Sequence, residues 1–192
     1  MKIRQIFFLF CTLPLFVFGQ FNDKKIYKIV KTDNPPKIDG TLADNAWKKV
    51  EVANNFSQIS PNNGEPERQG QSTEVKILFD SKYIYFGIMM YDNAPDSILK
   101  ELAVRDNKNA NADHFGIFID PFNNGQIEYE LMVSASGIQS DAKITSSSYD
   151  NSWDAVWKSS VSINKNGWIA EIAIPFSQLR FPDNNQAWSL NM

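Results

Sequence analysis

From Glu74 onward, apolar and polar residues alternate with a period of two, and short clusters of turn residues interrupt the alternation. This pattern predicts half-buried strands of antiparallel sheet, because successive side chains of a strand point to opposite faces. Val75, Ile77 and Phe79 alternate with Glu74, Lys76 and Asp80, and Asp80-Ser81-Lys82 turns the chain into a second run, Tyr83 to Tyr91. That run is apolar on both faces, which predicts a central strand covered from both sides. Phe115 to Ile119 predicts another buried strand, ended by Asp120-Pro121 and a turn at Asn123-Asn124-Gly125, where asparagine and glycine tolerate positive φ. Gln126 to Ser134 returns with Ile127, Tyr129, Leu131 and Val133 on one face. Trp157 to Ile163 then turns through Asn164-Lys165-Asn166-Gly167 into Trp168 to Ile174. Hairpin-like pairs in such succession predict an all-β, antiparallel two-sheet sandwich or jelly roll and argue against βαβ units.

Helical signals are short: a turn at Asp44 to Val50, a weak segment around Ser97 to Val104, and one turn from Pro175 to Leu179. No internal repeat or linker between domains is visible. Ser57 to Ser72, rich in Pro, Gly, Asn and Gln, reads as a long exposed loop. A final strand, Ala187 to Met192, stops as it begins, which suggests a piece of a longer protein.

The N-terminus changes the picture of where the chain resides. Lys2 and Arg4 precede an apolar stretch from Ile6 to Phe18 that is too short to span a bilayer, and Val17 and Gly19 supply the small residues of a cleavage site. Residues 1–19 are therefore read as a signal peptide and residues 20–192 as one exported domain, with the periplasm, the outer-membrane surface or the extracellular space as destinations. No membrane insertion is expected after cleavage. The single cysteine, Cys11, lies in the leader, so the mature chain has neither disulfides nor thiolate chemistry. Cleavage removes two of the 19 basic residues and none of the 22 acidic ones, and no basic block remains, which argues against a nucleic-acid partner.

Aromatic residues are the richest chemical resource. Trp153, Trp157 and Tyr149 lie in or beside a polar, turn-prone stretch, Tyr149 to Trp157, and an exposed ring there offers a flat apolar face beside carboxylates and amides. Burial in the core is the competing reading for both tryptophans, and Trp47, Trp168 and Trp188 sit within apolar patterns that favour it. Catalytic signals are weaker. His114 is the only histidine, no Gly-x-Ser-x-Gly elbow occurs, and Asp113, Asp120, Asp141, Asp150 and Asp154 are the carboxylates that a hydrolytic pair would draw on. Met89, Met90, Met132 and His114 are side chains that haem ligation would use, and core packing is the plainer account of strand methionines. Asp120 to Gly125 resembles the start of a calcium-binding EF-hand loop, but Phe122 and Leu131 occupy liganding positions; calcium held by dispersed loop oxygens stays open.

Lys37-Ile38-Asp39-Gly40-Thr41-Leu42-Ala43-Asp44-Asn45-Ala46-Trp47 resembles the opening of family 9 carbohydrate-binding modules, within the wider DOMON-like group. The similarity continues through Val75 to Asp80, Tyr83 to Tyr85, Asp113 with Ile117 to Asp120, and Gly167 to Pro175, covering about Ile29 to Met192. Arg105-Asp106, Trp153-Asp154-Ala155-Val156-Trp157, Pro175-Phe176 and Leu179-Arg180-Phe181 are similar to the N-terminal module of large exported proteins of Bacteroidetes-type bacteria, in which a long further region follows. The resemblance implies a non-catalytic module that binds oligo- or polysaccharide and accompanies O-glycosyl hydrolases in carbohydrate breakdown. Sugar-binding members hold their ligand between two tryptophans, one just before the residue matching Asp113. Here Lys108-Asn109-Ala110-Asn111-Ala112 has no aromatic residue, and the second clamp position lies past the strand matching Ala187 to Met192. Trp153, Trp157 and Tyr149, with Arg105 and Asp113, are therefore the expected ligand-facing residues. The alternative is a structural or docking domain of a larger secreted or outer-membrane protein, without a sugar site.

Overall fold

The computed structural model describes residues 25–183 and 187–192; the leader expected at 1–19 lies outside these. Among the described residues ten strands form two five-stranded sheets. The first, in spatial order β1-β2-β3-β9-β8, contains β1 (Val30–Lys31), β2 (Thr73–Phe79), β3 (Tyr83–Tyr91), β9 (Gly167–Pro175) and β8 (Lys158–Asn164). The second, in order β10-β4-β5-β6-β7, contains β10 (Ser189–Asn191), β4 (His114–Asp120), β5 (Ile127–Ser134), β6 (Gln139–Thr145) and β7 (Ser148–Asp150). All pairings are antiparallel except β1 on β2, which is parallel and departs from the purely antiparallel expectation. Among the described residues no helix is long and apolar enough to cross a membrane.

The alternation sets the core. Val75 and Ile77 of β2, Ile84, Phe86 and Ile88 of β3, and Ala170, Ile172 and Ile174 of β9 face Phe115, Ile117 and Ile119 of β4 and Tyr129, Leu131 and Val133 of β5. β3 lies at the centre of its sheet and is buried on both faces, as its unbroken apolar run requires. Its outer face is covered by the segment before β2, where Trp47, on a single 3-10 turn (Asn45–Lys49), packs with Val50, Leu78, Tyr85 and Ala173.

That outer layer is fastened by one carboxylate. Glu171 of β9 is 0% exposed. Its Oε2 accepts the backbone N–H groups of Asp39 (2.9 Å), Gly40 (2.8 Å) and Thr41 (3.2 Å), and its Oε1 accepts the Trp47 indole N–H at 2.8 Å. Burial raises the Glu171 carboxyl above the usual carboxylate range, and the four donors act against that rise. Gly87, opposite Glu171 on β3, leaves the space the indole occupies: a Cβ there would stand 3.0 Å from the Trp47 ring. Gly40 takes φ +87° where a Cβ would press on Ser160 and the Val161 carbonyl at 3.1 Å.

Other expectations were met unevenly. The turns at Asp44 to Val50 and after Pro175 are 3-10 turns, at Asn45–Lys49 and Phe176–Gln178. The helical segment expected at Ser97 to Val104 is instead a 3-10 turn at Pro95–Ser97 followed by irregular chain, with Leu102 and Val104 exposed. Ser57 to Ser72 is the long exposed loop expected, with its arms joined by Gln58 N–H to the Glu65 carbonyl at 2.7 Å and a bridge between Ser57 and Pro66.

Candidate functional site

The outer face of the second sheet carries the strongest exposed aromatic and charged constellation. β5 directs Glu130 outward beside Ala142 of β6, and β7 sets Tyr149 opposite Ile144. The chain between Ile98 and Asp113 supplies the third member, Lys108. This segment is pinned by the Asp106 N–H to the Gln139 carbonyl (3.0 Å), the Asp113 N–H to the Leu99 carbonyl (2.9 Å) and the Ser136 hydroxyl to the Glu101 carbonyl (2.9 Å). Lys108 Nζ then donates to Glu130 Oε1 at 2.8 Å and to the Tyr149 hydroxyl, while that hydroxyl donates to the other Glu130 oxygen. The ammonium lies 4.8 Å from the Tyr149 ring centroid, and the ring is 49% exposed while Glu130 is buried.

Electrostatics tighten the cluster. Burial alone lowers Lys108, but Glu130 and Tyr149 outweigh it and hold the ammonium above the ordinary lysine range. Burial and Glu130 raise the Tyr149 phenol, with Lys108 opposing. A lysine raised in the folded state contributes stability that is complete below its unfolded value, about 10.4, and is lost as pH climbs through the higher folded value. Lys108→Met, which strands the buried Glu130 carboxylate, is therefore expected to cost about 2 kcal/mol at neutral pH. Urea unfolding of both proteins from pH 7 to 11 should show this gap closing above the lysine range; a gap independent of pH contradicts the ion pair.

The other expected ligand-facing residues are dispersed. Trp157 is corrected: it is 5% exposed, and its indole N–H donates to the buried Asp141 carboxylate at 3.0 Å, so it has no free face. Asp141 Oδ1 also accepts the Ala155 N–H at 2.9 Å, and its Oδ2 pairs with Arg105. Arg105 further donates to Gln139 Oε1 (2.5 Å) and the Ala155 carbonyl (2.9 Å), with Asp154 at 3.3 Å, so its guanidinium ties the 153–157 crossover to β6. Trp153 is half-buried, its ring 5.0 Å from the inward-facing Tyr129, and it does not share a surface with Tyr149. Asp113 lies at the far end of β4 from the Tyr149 row, roughly 20 Å along the strand. Its half-buried carboxyl is raised by burial, with Asp92 adding to the rise and the Leu99 backbone and His114 opposing it.

The remaining carboxylates serve local structure. Asp120 spends both oxygens on the N–H groups of Phe122 (2.9 Å), Asn124 (2.9 Å) and Gly125 (2.7 Å), and Asp150 accepts from Ser152. Among the described residues no group of three or more histidine or acidic side chains converges. Met89 and Met90 are both buried on β3. Two shallow, open depressions lie elsewhere, one beside Arg105, Gln139 and Ser159 and one on the 57–72 excursion. Sequence reasoning found Tyr149 but missed Lys108 and Glu130, because nothing local links positions so far apart.

The fold has relatives. Two solved structures of a family 9 carbohydrate-binding module from Caldicellulosiruptor kristjanssonii, one in complex with glucose and one with cellotriose, are similar to this chain. Each is 20% identical and covers 87% of this chain; the match covers 75% of the glucose-complex chain at a TM-score of 0.57, and 74% of the cellotriose-complex chain at 0.56. Comparison with curated proteins gives no match. The model of the carbohydrate family 9 binding domain-like family matches residues 38–192, and the chain belongs to that family.

Proposed function

We propose that this domain is a non-catalytic saccharide-recognition module whose contact surface is the outer face of the second sheet, centred on Tyr149. Membership of the family and the sugar complexes of its structural relatives support the ligand class. The observation that carries the placement is the half-exposed Tyr149 ring, held at its hydroxyl by both Lys108 and Glu130. A ring fixed in this way gives the C–H face of a pyranose a platform without losing side-chain entropy on binding. The Lys108 ammonium beside it is a donor for sugar hydroxyls.

The signal-like N-terminus supports export to the periplasm, the outer-membrane surface or the extracellular space, where the module would hold polysaccharide for accompanying hydrolases. A docking domain without a sugar site is the competing reading, and the burial of Trp47, Trp157 and Trp168 favours it. The two differ at Tyr149. Calorimetric titration of the chain with glucose, cellotriose and xylotriose is expected to give saturable binding that weakens about tenfold in Tyr149→Ala. Folded wild-type protein that binds none of these sugars, or a Tyr149→Ala variant that binds them equally well, would overturn the reading.

A further inference from the structure

The excursion between β1 and β2 holds a second arrangement of polar groups, on a different element from Tyr149 and absent from the readings above. Its architecture is fixed by its own backbone. The Glu65 N–H bonds the Asn62 carbonyl at 3.1 Å and closes a turn with Gly64 at φ +86°, the conformation that an Asn-Gly pair accepts without strain. The Gly64 N–H returns to the Gln58 carbonyl at 2.9 Å, and the Gln58 amide reaches the Pro66 carbonyl at 2.7 Å. At the base, Glu67 accepts the Thr73 N–H at 2.6 Å, which anchors the excursion to the first residue of β2.

This frame borders a shallow, open depression lined by Gln58, Asn62, Asn63, Glu65, Glu67 and Arg68. The side chains of Asn62, Asn63, Glu65 and Arg68 make no hydrogen bond or ion pair within the described residues. Two amides, a carboxylate and a guanidinium thus border one open depression with their hydrogen-bonding capacity free for solvent. Donors and acceptors placed side by side, the amides supplying both, the carboxylate accepting and the guanidinium donating, suit the vicinal hydroxyls of a sugar, each of which gives and takes a hydrogen bond. The charges narrow the ligand class: the Arg68 cation is outnumbered by the Glu65 and Glu67 carboxylates, so an acidic ligand meets repulsion and a neutral polyol does not.

We propose that this depression is a second saccharide-binding site, selective for neutral sugars. The proposal takes its ligand class from the saccharide reading, and its site does not involve Tyr149. Nitrogen-15 NMR of the chain titrated with cellotriose tests it residue by residue. Saturable shifts of the Gln58, Asn62 and Asn63 side-chain amides are expected, with apparent affinity falling about fivefold in Asn63→Ala and in Arg68→Ala. They should persist in Tyr149→Ala. Glucuronate should bind more weakly than glucose. Shifts confined to the neighbours of Tyr149 overturn the second site and leave the first. Shifts in the excursion with none near Tyr149 support the second and overturn the placement of the first. Absence of both sets overturns both, and tighter binding of glucuronate overturns the neutral-sugar assignment.

Discussion

Glu171→Ala is expected to cost about 4 kcal/mol of folding stability, a loss in the range that only a few mechanisms reach. The substitution removes the acceptor of four donors at once: three successive N–H groups at Asp39, Gly40 and Thr41, and the Trp47 indole. An unsatisfied buried donor costs about 1–3 kcal/mol, and partial access of water to the vacated space keeps the sum below four full penalties. Glu171→Gln keeps the volume and one acceptor oxygen but turns an amide N–H₂ toward donors, so it should lie midway, near 2 kcal/mol. Denaturant unfolding followed by tryptophan fluorescence measures both. If Glu171→Ala costs under 1 kcal/mol, the carboxylate is not what fastens the outer layer, and if the alanine variant does not fold, the glutamine variant still decides.

This network also explains what the family resemblance reports. Ile38-Asp39-Gly40 and Trp47, the residues that carry the similarity most clearly, close over Glu171 on the outer face of the first sheet, away from the sheet that bears Tyr149. Their chemistry is that of a structural clamp: a glycine at positive φ against Ser160 and Val161, and an indole lying over Gly87. The motif therefore speaks to fold and is silent on ligand. Fold alone does not assign function.

The strands that the periodicity predicts are those whose inward residues are apolar, which is why β2, β3, β4, β5, β8 and β9 were legible. β6 was not, because its inward row is Gln139, Asp141 and Lys143, opposite Val133, Leu131 and Tyr129. Only tertiary partners make that row suitable for burial, and those partners, Arg105 and Trp157, are distant in sequence. β1, with two residues, is too short to show any period. The same distance hid the site. Tyr149 stood out as an aromatic residue in a polar stretch, whereas Lys108 and Glu130 acquire meaning only when the Ile98 to Asp113 segment is laid against β5. Trp157 misled because its surroundings in sequence are polar; the polar group beside it in space is the buried acceptor of its indole N–H.

Asp141→Ala is the second large effect expected, about 3–5 kcal/mol, the scale seen when one partner of a buried ion pair is removed. Asp141 is 2% exposed and joins β6 to two segments: the stretch before β4 through Arg105, and the crossover to β8 through the Ala155 N–H and the Trp157 indole. Its loss leaves two donors without partners and a guanidinium that keeps Gln139, the Ala155 carbonyl and Asp154. Arg105 is one-third exposed, so solvent softens its share, which places the expected value toward the lower end. A double-mutant cycle with Arg105→Ala separates the contributions: coupling of about 1–3 kcal/mol is expected for two residues in direct contact, and coupling near zero would mean that Asp141 acts through Trp157 and Ala155 alone. The cycle also bears on recognition, because the 153–157 crossover follows directly on β7, which carries Tyr149. If Asp141 positions that crossover, a folded Asp141→Asn variant should bind cellotriose more weakly than wild type although residue 141 touches no ligand. Unchanged affinity alongside the stability loss would show that the network supports the sandwich without setting the recognition surface.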